Sequence, residues 1–215
     1  MKMSMVSLGC DKNTVDSEMM LGLMNEKGFE YTDIDEEAEI MIINTCGFIQ
    51  SAKEESINAI LEAARLKEEG ALKALIVTGC LAQRYKDEII KEIPEVDALL
   101  GTSSFDKIVE TVEDVLGGEI KNEFLDLDRL PSISNKRTNS TGGYYAYLKI
   151  AEGCNKNCTY CIIPSLRGNY RSYPMDDLIA QANDLAAQGI KELILVAQET
   201  TLYGVDLYGE KSLPK

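Results

Sequence analysis

Three cysteines in the run Cys154-Asn-Lys-Asn-Cys158-Thr-Tyr-Cys161 carry the clearest chemistry in the chain. Three residues and then two separate them, no fourth cysteine lies near, and the sequence contains no histidine at all. Three thiolates on one tight loop can hold three irons of a cubane iron–sulfur cluster and leave the fourth iron open to a substrate. A fourth cysteine at ferredoxin spacing would instead close the cluster for electron transfer alone. The competing reading is zinc, but a structural zinc site takes four ligands, and the fourth would have to come from far away.

The other three cysteines, Cys10, Cys46 and Cys80, each follow an apolar strand-like run, precede a helical one and are flanked by Gly9, Gly47 and Gly79. If the strands lie parallel in one sheet, the three loops gather at its carboxyl edge, where ligands bind. Helix N-termini aimed at the same spot would favour thiolates and an anionic cluster. Three independent buried cysteines, behaving as small hydrophobes, are the alternative.

The elements that must position these residues are readable from periodicity. Strands are expected over Met3–Leu8, Ile40–Ile43, Leu75–Val77 and Asp97–Leu100. Helices are expected over Thr14–Lys27, with Val15, Met19, Leu23 and Met24 on one face, over Ser51–Glu69, with Ile57, Ile60, Leu61 and Ala64 inward, and over Tyr85–Glu92 and Phe105–Leu116. Alternation of buried strands with helices predicts an α/β fold whose N-terminal parallel sheet is flanked by helices. Residues 119–143 break the pattern: polar and rich in turn formers, they read as a linker between a domain over 1–118 and another over 144–215. In the second domain, Tyr145–Ile150 reads as a strand leading through Gly153 into the cysteine loop. A helix over Asp176–Gly189 and a strand over Leu193–Ala197 follow, so the order is that of the first part of a (β/α) barrel.

The chain has 215 residues and a net charge of −14. Residues 1–118 hold 11 Lys and Arg against 24 Asp and Glu, and the remainder is nearly balanced. An acidic first half repels nucleic-acid phosphate and suits a basic protein partner; a solvated, solubilising surface is the plainer reading. No stretch reaches the roughly 18 apolar residues of a membrane span, and Met1–Leu8 is too short for a signal peptide. Six cysteines without a secretion signal predict a reducing, cytoplasmic setting and metal ligation rather than disulfides.

The Cys154 loop, with Tyr160 just before its third cysteine, resembles the radical S-adenosylmethionine (SAM) superfamily. The segments Ser7-Leu-Gly-Cys10-Asp-Lys-Asn13, Asp16-Ser-Glu18, Asn44-Thr-Cys-Gly-Phe-Ile49, Ala52-Lys-Glu-Glu-Ser56 and Thr78-Gly-Cys80 resemble the N-terminal domain of the methylthiotransferases. Within that family, Cys46-Gly-Phe-Ile49, Ala52-Lys-Glu-Glu-Ser56 and Ile150-Ala-Glu-Gly-Cys154 are similar to the branch that modifies an aspartate of ribosomal protein S-twelve. Asp11 departs from the proline usual after the first cysteine of that branch and lies outside the ligand set.

The resemblance implies two 4Fe-4S clusters, one on Cys154, Cys158 and Cys161 and one on Cys10, Cys46 and Cys80. It implies SAM on the open iron of the first, an external electron donor, and radical abstraction of hydrogen from the aspartate β-carbon. The second cluster would hold or supply sulfur, which a second SAM methylates. Tyr160 and the end of the next strand, Gln198, Glu199 and Thr200, are the implied SAM contacts. Tyr160 as a core aromatic and Gln198–Thr200 as a plain polar turn remain alternatives. Arg167 and Arg171 could face SAM, substrate or solvent. Because the sequence stops at Lys215, short of the further barrel strands and C-terminal β-barrel of the family, it is expected to be a fragment or truncated product that does not complete the reaction alone. A tRNA-modifying methylthiotransferase and a non-catalytic metal-binding module are the other readings.

Overall fold

The computed structural model describes residues 1–133 and 137–215. The first part of the chain forms β1 (Lys2–Ser7), α1 (Asp11–Glu26), β2 (Glu30–Tyr31), β3 (Ile40–Thr45), α2 (Gln50–Glu68), β4 (Ala74–Gly79), α3 (Cys80–Arg84), α4 (Lys86–Glu92), β5 (Ala98–Leu99) and α5 (Ile108–Leu116). The five strands make one parallel sheet in the order β2-β1-β3-β4-β5, with Met5 in register with Ile42 and Ile42 with Ile76. Winding reverses between β1 and β3, and a crevice opens at the carboxyl ends of strands at such a switch point.

β3 is buried along its whole length because it packs on both faces. Ile40 and Ile42 turn with Met3 and Ile76 towards Met19, Met24, Ile108 and Val112 of α1 and α5. Met41 and Ile43 turn with Leu75 and Val77 towards Ile60, Ala64, Leu81 and Ile89 of α2, α3 and α4. A strand covered on both sides loses the polar alternation of a half-exposed one, hence its unbroken apolar sequence.

One expectation needs correction. Ile57 and Leu61 do not point inward: they are 42% and 45% exposed, and α2 instead buries Ser56, Ile60, Ala63 and Ala64. The small alanines let the helix lie close to the sheet, which rotates the larger pair outward. The helix expected over Tyr85–Glu92 is α4; ahead of it the chain forms α3, which the pattern did not predict, and Tyr85, at φ −125° and ψ 33°, separates the two.

The second part comprises β6 (Tyr145–Lys149), β7 (Ala151–Glu152), α6 (Ile163–Arg167), β8 (Arg171–Ser172), α7 (Met175–Ala187), β9 (Glu192–Val196) and α8 (Val205–Tyr208). β6 and β9 pair in parallel, Tyr147 opposite Ile194, with α7 as the crossover; β7 and β8 form a small antiparallel ribbon. Leu148, Ile150 and Tyr173 pack with Leu178 of the crossover, while Leu193, Ile194 and Leu195 of β9 are 37–42% exposed.

Between these parts the chain is fastened to the first sheet. The Gly101 N–H donates to the Glu123 carbonyl at 2.8 Å and the Glu123 N–H to the Leu99 carbonyl at 2.9 Å, so the sheet is extended by one bridge. Arg129 donates to the Ser103 carbonyl and to Asp106. Of the linker expected over 119–143, residues 134–136 lie outside the described residues. Val196 and Tyr147 of the second part join the apolar cluster around Met19, so the two parts share a core. No helix among the described residues is long and apolar enough to cross a membrane.

Candidate functional site

Cys10, Cys46 and Cys80 stand where the carboxyl ends of β1, β3 and β4 turn into helices. Cys10 is the residue before α1, Cys46 follows β3 directly, and Cys80 is the first residue of α3. Cys10 is exposed, and Cys46 and Cys80 are buried. The loops interlock through glycine. A Cβ on Gly9 would stand 2.8 Å from the Cys46 Cβ, and one on Gly47 would stand 3.0 Å from the Cys80 carbonyl oxygen. The glycines therefore let neighbouring loops touch, and Gly9, at φ +101°, also makes a turn.

Buried side-chain hydrogen bonds set the spacing of the loops. Asn13 Nδ2 donates to the carbonyls of Leu8 at 2.8 Å and Thr45 at 3.0 Å. Asn44 Nδ2 donates to the Asn13 carbonyl at 2.9 Å and to Ser17 Oγ at 3.0 Å. The Cys46 N–H donates to Ser56 Oγ at 2.9 Å, and that hydroxyl returns a bond to the Cys46 carbonyl at 3.1 Å. Buried backbone groups otherwise satisfied by regular structure are thus closed by side chains of α1, β3 and α2.

Beside these loops lies a buried charge network that joins the two parts. Lys149 Nζ donates to Asp16 and Glu152 carboxylates. Arg167 donates to Glu152 Oε2 at 3.1 Å, Asp16 Oδ2 at 3.3 Å and Asn13 Oδ1 at 2.6 Å. Two cations and two carboxylates balance one another, as buried charges must. Burial alone would push Glu152 up, but Lys149 and Arg167 hold its carboxyl at about 2. Arg167, for which SAM, substrate or solvent were the expected neighbours, is only 2% exposed and faces the first cysteine set. Arg171 is held too, donating to the Arg167 carbonyl at 3.1 Å.

Cys154, Cys158 and Cys161 share an irregular loop. The Cys154 N–H donates to the Gly168 carbonyl at 3.1 Å and the Cys161 N–H to the Cys158 carbonyl at 2.9 Å. Cys158 is exposed, and its two companions are half-buried. Tyr160 is 89% exposed, which rules out the core-aromatic alternative. Glu199 lies against this loop: hydrogen bonds from Lys156 and Thr201 hold its carboxyl at about 2. Thr200 opens a turn of 3-10 helix over Thr200–Leu202.

A cavity of about 410 Å³ brings much of this together. Its wall includes Cys10, Cys46 and Cys80 from the first part and Cys161, Arg167 and Gln198 from the second, with Phe48 and Ile49 as apolar cover. Cys154, Cys158, Tyr160, Glu199 and Thr200 do not line it. Burial pushes the Cys80 thiol up, against the pull of the Arg167 charge and hydrogen bond. Among the described residues, no three Cys, Asp or Glu side chains converge tightly enough to hold one metal ion. A closed zinc site needs four ligands around one point. A cubane takes each thiolate on a different iron, so its ligands stand further apart. Three sulfur donors around a roomy, mostly apolar cavity fit that requirement.

Arg167, Asn13, Asp16, Lys149 and Glu152 were not readable as a group in the sequence. The one local signal was Lys149, a charge inside the apolar run Tyr145–Ile150.

Residues 2–101 match the model of the uncharacterized protein family UPF0004, and residues 148–212 match the radical SAM superfamily. A protein of Lachnoclostridium phytofermentans named ribosomal protein uS12 methylthiotransferase RimO is 62% identical over all of this chain and 49% of its own length. Proteins of the same name from Acetivibrio thermocellus and Clostridioides difficile are 53% and 50% identical, each over 99% of this chain and 48% of their own length. The chain thus spans about half the length of the curated relatives it matches. Radical SAM membership implies SAM and iron–sulfur chemistry. With a UPF0004 domain joined to radical SAM sequence and this identity along every part of it, the chain belongs to the radical SAM methylthiotransferase family.

Proposed function

We propose that this chain carries the cluster- and SAM-binding residues of an enzyme that adds a methylthio group to the β-carbon of an aspartate in ribosomal protein uS12. The observation that carries the reading is the shared cavity, whose wall takes thiols from both cysteine sets and Gln198 from the end of β9. The names of the relatives supply the substrate.

Cys154, Cys158 and Cys161 would hold one 4Fe-4S cluster, and Cys10, Cys46 and Cys80 a second. When bound and reduced, SAM and its cluster supply a 5′-deoxyadenosyl radical able to take hydrogen from an unactivated carbon. The protein's own work is orientation and dryness. The interlocked Gly9 and Gly47 loops fix the first thiols at the cavity wall. Phe48 and Ile49 give it an apolar rim. Gln198, Glu199, Thr200 and Tyr160 would bind SAM, Gln198 from the wall of the same cavity as Cys161. Electrons come from an external donor, and the setting is the cytoplasm.

The test is iron and sulfide analysis after anaerobic reconstitution. About eight of each are expected, the content of two cubanes. Replacing Cys154, Cys158 and Cys161 together by Ala should remove half, and replacing Cys10, Cys46 and Cys80 the other half. Loss of all iron from either variant, or tight zinc in place of iron, would end the two-cluster reading. The acidic first part favours a basic protein substrate over tRNA. Binding to uS12 should weaken with salt and survive nuclease. Tighter binding to tRNA would transfer the chain to the tRNA-modifying branch.

A further inference from the structure

Arg167 belongs to the second part of the chain by sequence and to the first cysteine set by position. It is the last residue of α6, six residues beyond Cys161, yet its side chain lines the cavity with Cys10, Cys46 and Cys80. Three partners fix it: Asn13 Oδ1 accepts at 2.6 Å, Asp16 Oδ2 at 3.3 Å and Glu152 Oε2 at 3.1 Å, and its charge acts on the Cys80 thiol. Its backbone has no slack. The next residue, Gly168, is at φ +70°, where a Cβ would come within 2.6 Å of the Leu127 carbonyl oxygen. The carbonyl of the same Gly168 accepts from the Cys154 N–H at 3.1 Å. One dipeptide therefore touches both cysteine sets, its side chain at one and its backbone at the other.

An arginine so deeply buried needs an anion. Asp16 and Glu152 already serve Lys149 as well, so four charges share the balance. A further anion at the thiols would meet the open side of a planar guanidinium whose hydrogen bonds are directional and whose charge is permanent. In a low-dielectric wall that charge acts strongly on whatever charge the thiols hold. Hydrogen bonds and net charge at the sulfurs are also among the levers that set a cluster's reduction potential.

We propose that Arg167 is a positioning residue for the cluster held by Cys10, Cys46 and Cys80, stabilising its more negative state, so that the electronic character of a first-part cluster is set by a second-part side chain. The inference rests on the cluster assignment made above. It is tested in the protein carrying Cys154→Ala, Cys158→Ala and Cys161→Ala, where a single cluster remains. Iron content and a redox titration followed by electron paramagnetic resonance are the readouts. Arg167→Gln should keep about four irons, one cubane, and move the midpoint to a more negative potential. Asp16→Asn, which removes an anion opposing the guanidinium, should move it the other way. A side chain that merely tied the two parts together would change thermal stability and leave both potentials alone. An unchanged midpoint in iron-loaded Arg167→Gln overturns the inference. If that variant takes up no iron, Asp16→Asn decides, and an unchanged midpoint there overturns it. Absence of iron from the starting protein would overturn the cluster assignment itself, and this inference with it.

Discussion

Cys10, Cys46 and Cys80 come from three strand ends spread over 70 residues of sequence, while Cys154, Cys158 and Cys161 occupy eight residues of one loop. The scattered set is the better held. Asn13, Asn44 and Ser56 bind the backbone around it, two of its thiols are buried, and loop contacts at Gly9 and Gly47 leave no room for a side chain. The compact set rests on two backbone hydrogen bonds, a bond from the Tyr170 N–H to Asn155 Oδ1 at 2.9 Å and the tether between Lys156 and Glu199, with Cys158 in solvent. Closeness in sequence is therefore a poor guide to preorganisation. A site assembled from strand ends inherits the rigidity of the sheet, whereas a loop site keeps the freedom of a loop until a ligand removes it.

The most severe way to break this contrast is to remove the charge at its foundation. Lys149→Met should leave Asp16 and Glu152 facing Arg167 alone in a buried setting and cost about 3–5 kcal/mol. Denaturant unfolding should show it as a lower midpoint, and a loss under about 1 kcal/mol would mean that water reaches the network.

Ser56→Ala strikes the scattered set directly. It strands the buried Cys46 N–H, for a cost of about 1–3 kcal/mol. It should also raise the alkylation rate of Cys46 in the metal-free protein. In the unmodified chain, Cys158 should react first and Cys80 last, since burial pushes the Cys80 thiol up and excludes reagent. Equal rates across both sets would dissolve the comparison.

A finer probe is the loop tether. The Glu199 carboxyl is lowered from its ordinary value of 4.5 to about 2 by Lys156 and Thr201. A depressed folded pKa stabilises above the unfolded value, so the tether should be intact at neutral pH and be lost as pH falls from about 4.5 through about 2. Carboxyl carbon shifts in NMR report this titration, and a midpoint near 4.5 would mean that the loop is not tied to β9.

The smallest effect belongs to Tyr160. With its ring in solvent, Tyr160→Ala should change stability by no more than about 0.5 kcal/mol. Any effect on SAM affinity, read by equilibrium dialysis of the cluster-loaded protein, then isolates ligand binding from folding.

The sheet was legible because a strand covered on both faces writes its burial into consecutive residues, as Ile40–Ile43 does. The placement of the cysteines at strand ends followed from the same pattern. Three things left no such trace. The orientation of α2 depends on how closely Ala63 and Ala64 let it approach, and a helical stripe that includes Ile57 and Leu61 does not encode that. The strands β2, β7 and β8 have two residues each, too few to show a period. The charge network joins Asp16 to Lys149 across 133 positions, with nothing local to mark the pairing.

That long reach also orders events during synthesis. The residues of the parallel sheet and of α1 are all made before those of the second part, and until the second part packs against it the face of α1 that carries Asp16 and Glu18 is open to water. Lys149 and Arg167, the partners of Asp16, and Arg137, the partner of Glu18, are made later. The nascent first half thus presents two hydrated anions as a landing mark, and the second half brings the cations that match it. Docking buries both together, so neither half carries an unpaired charge into the dark before the other exists.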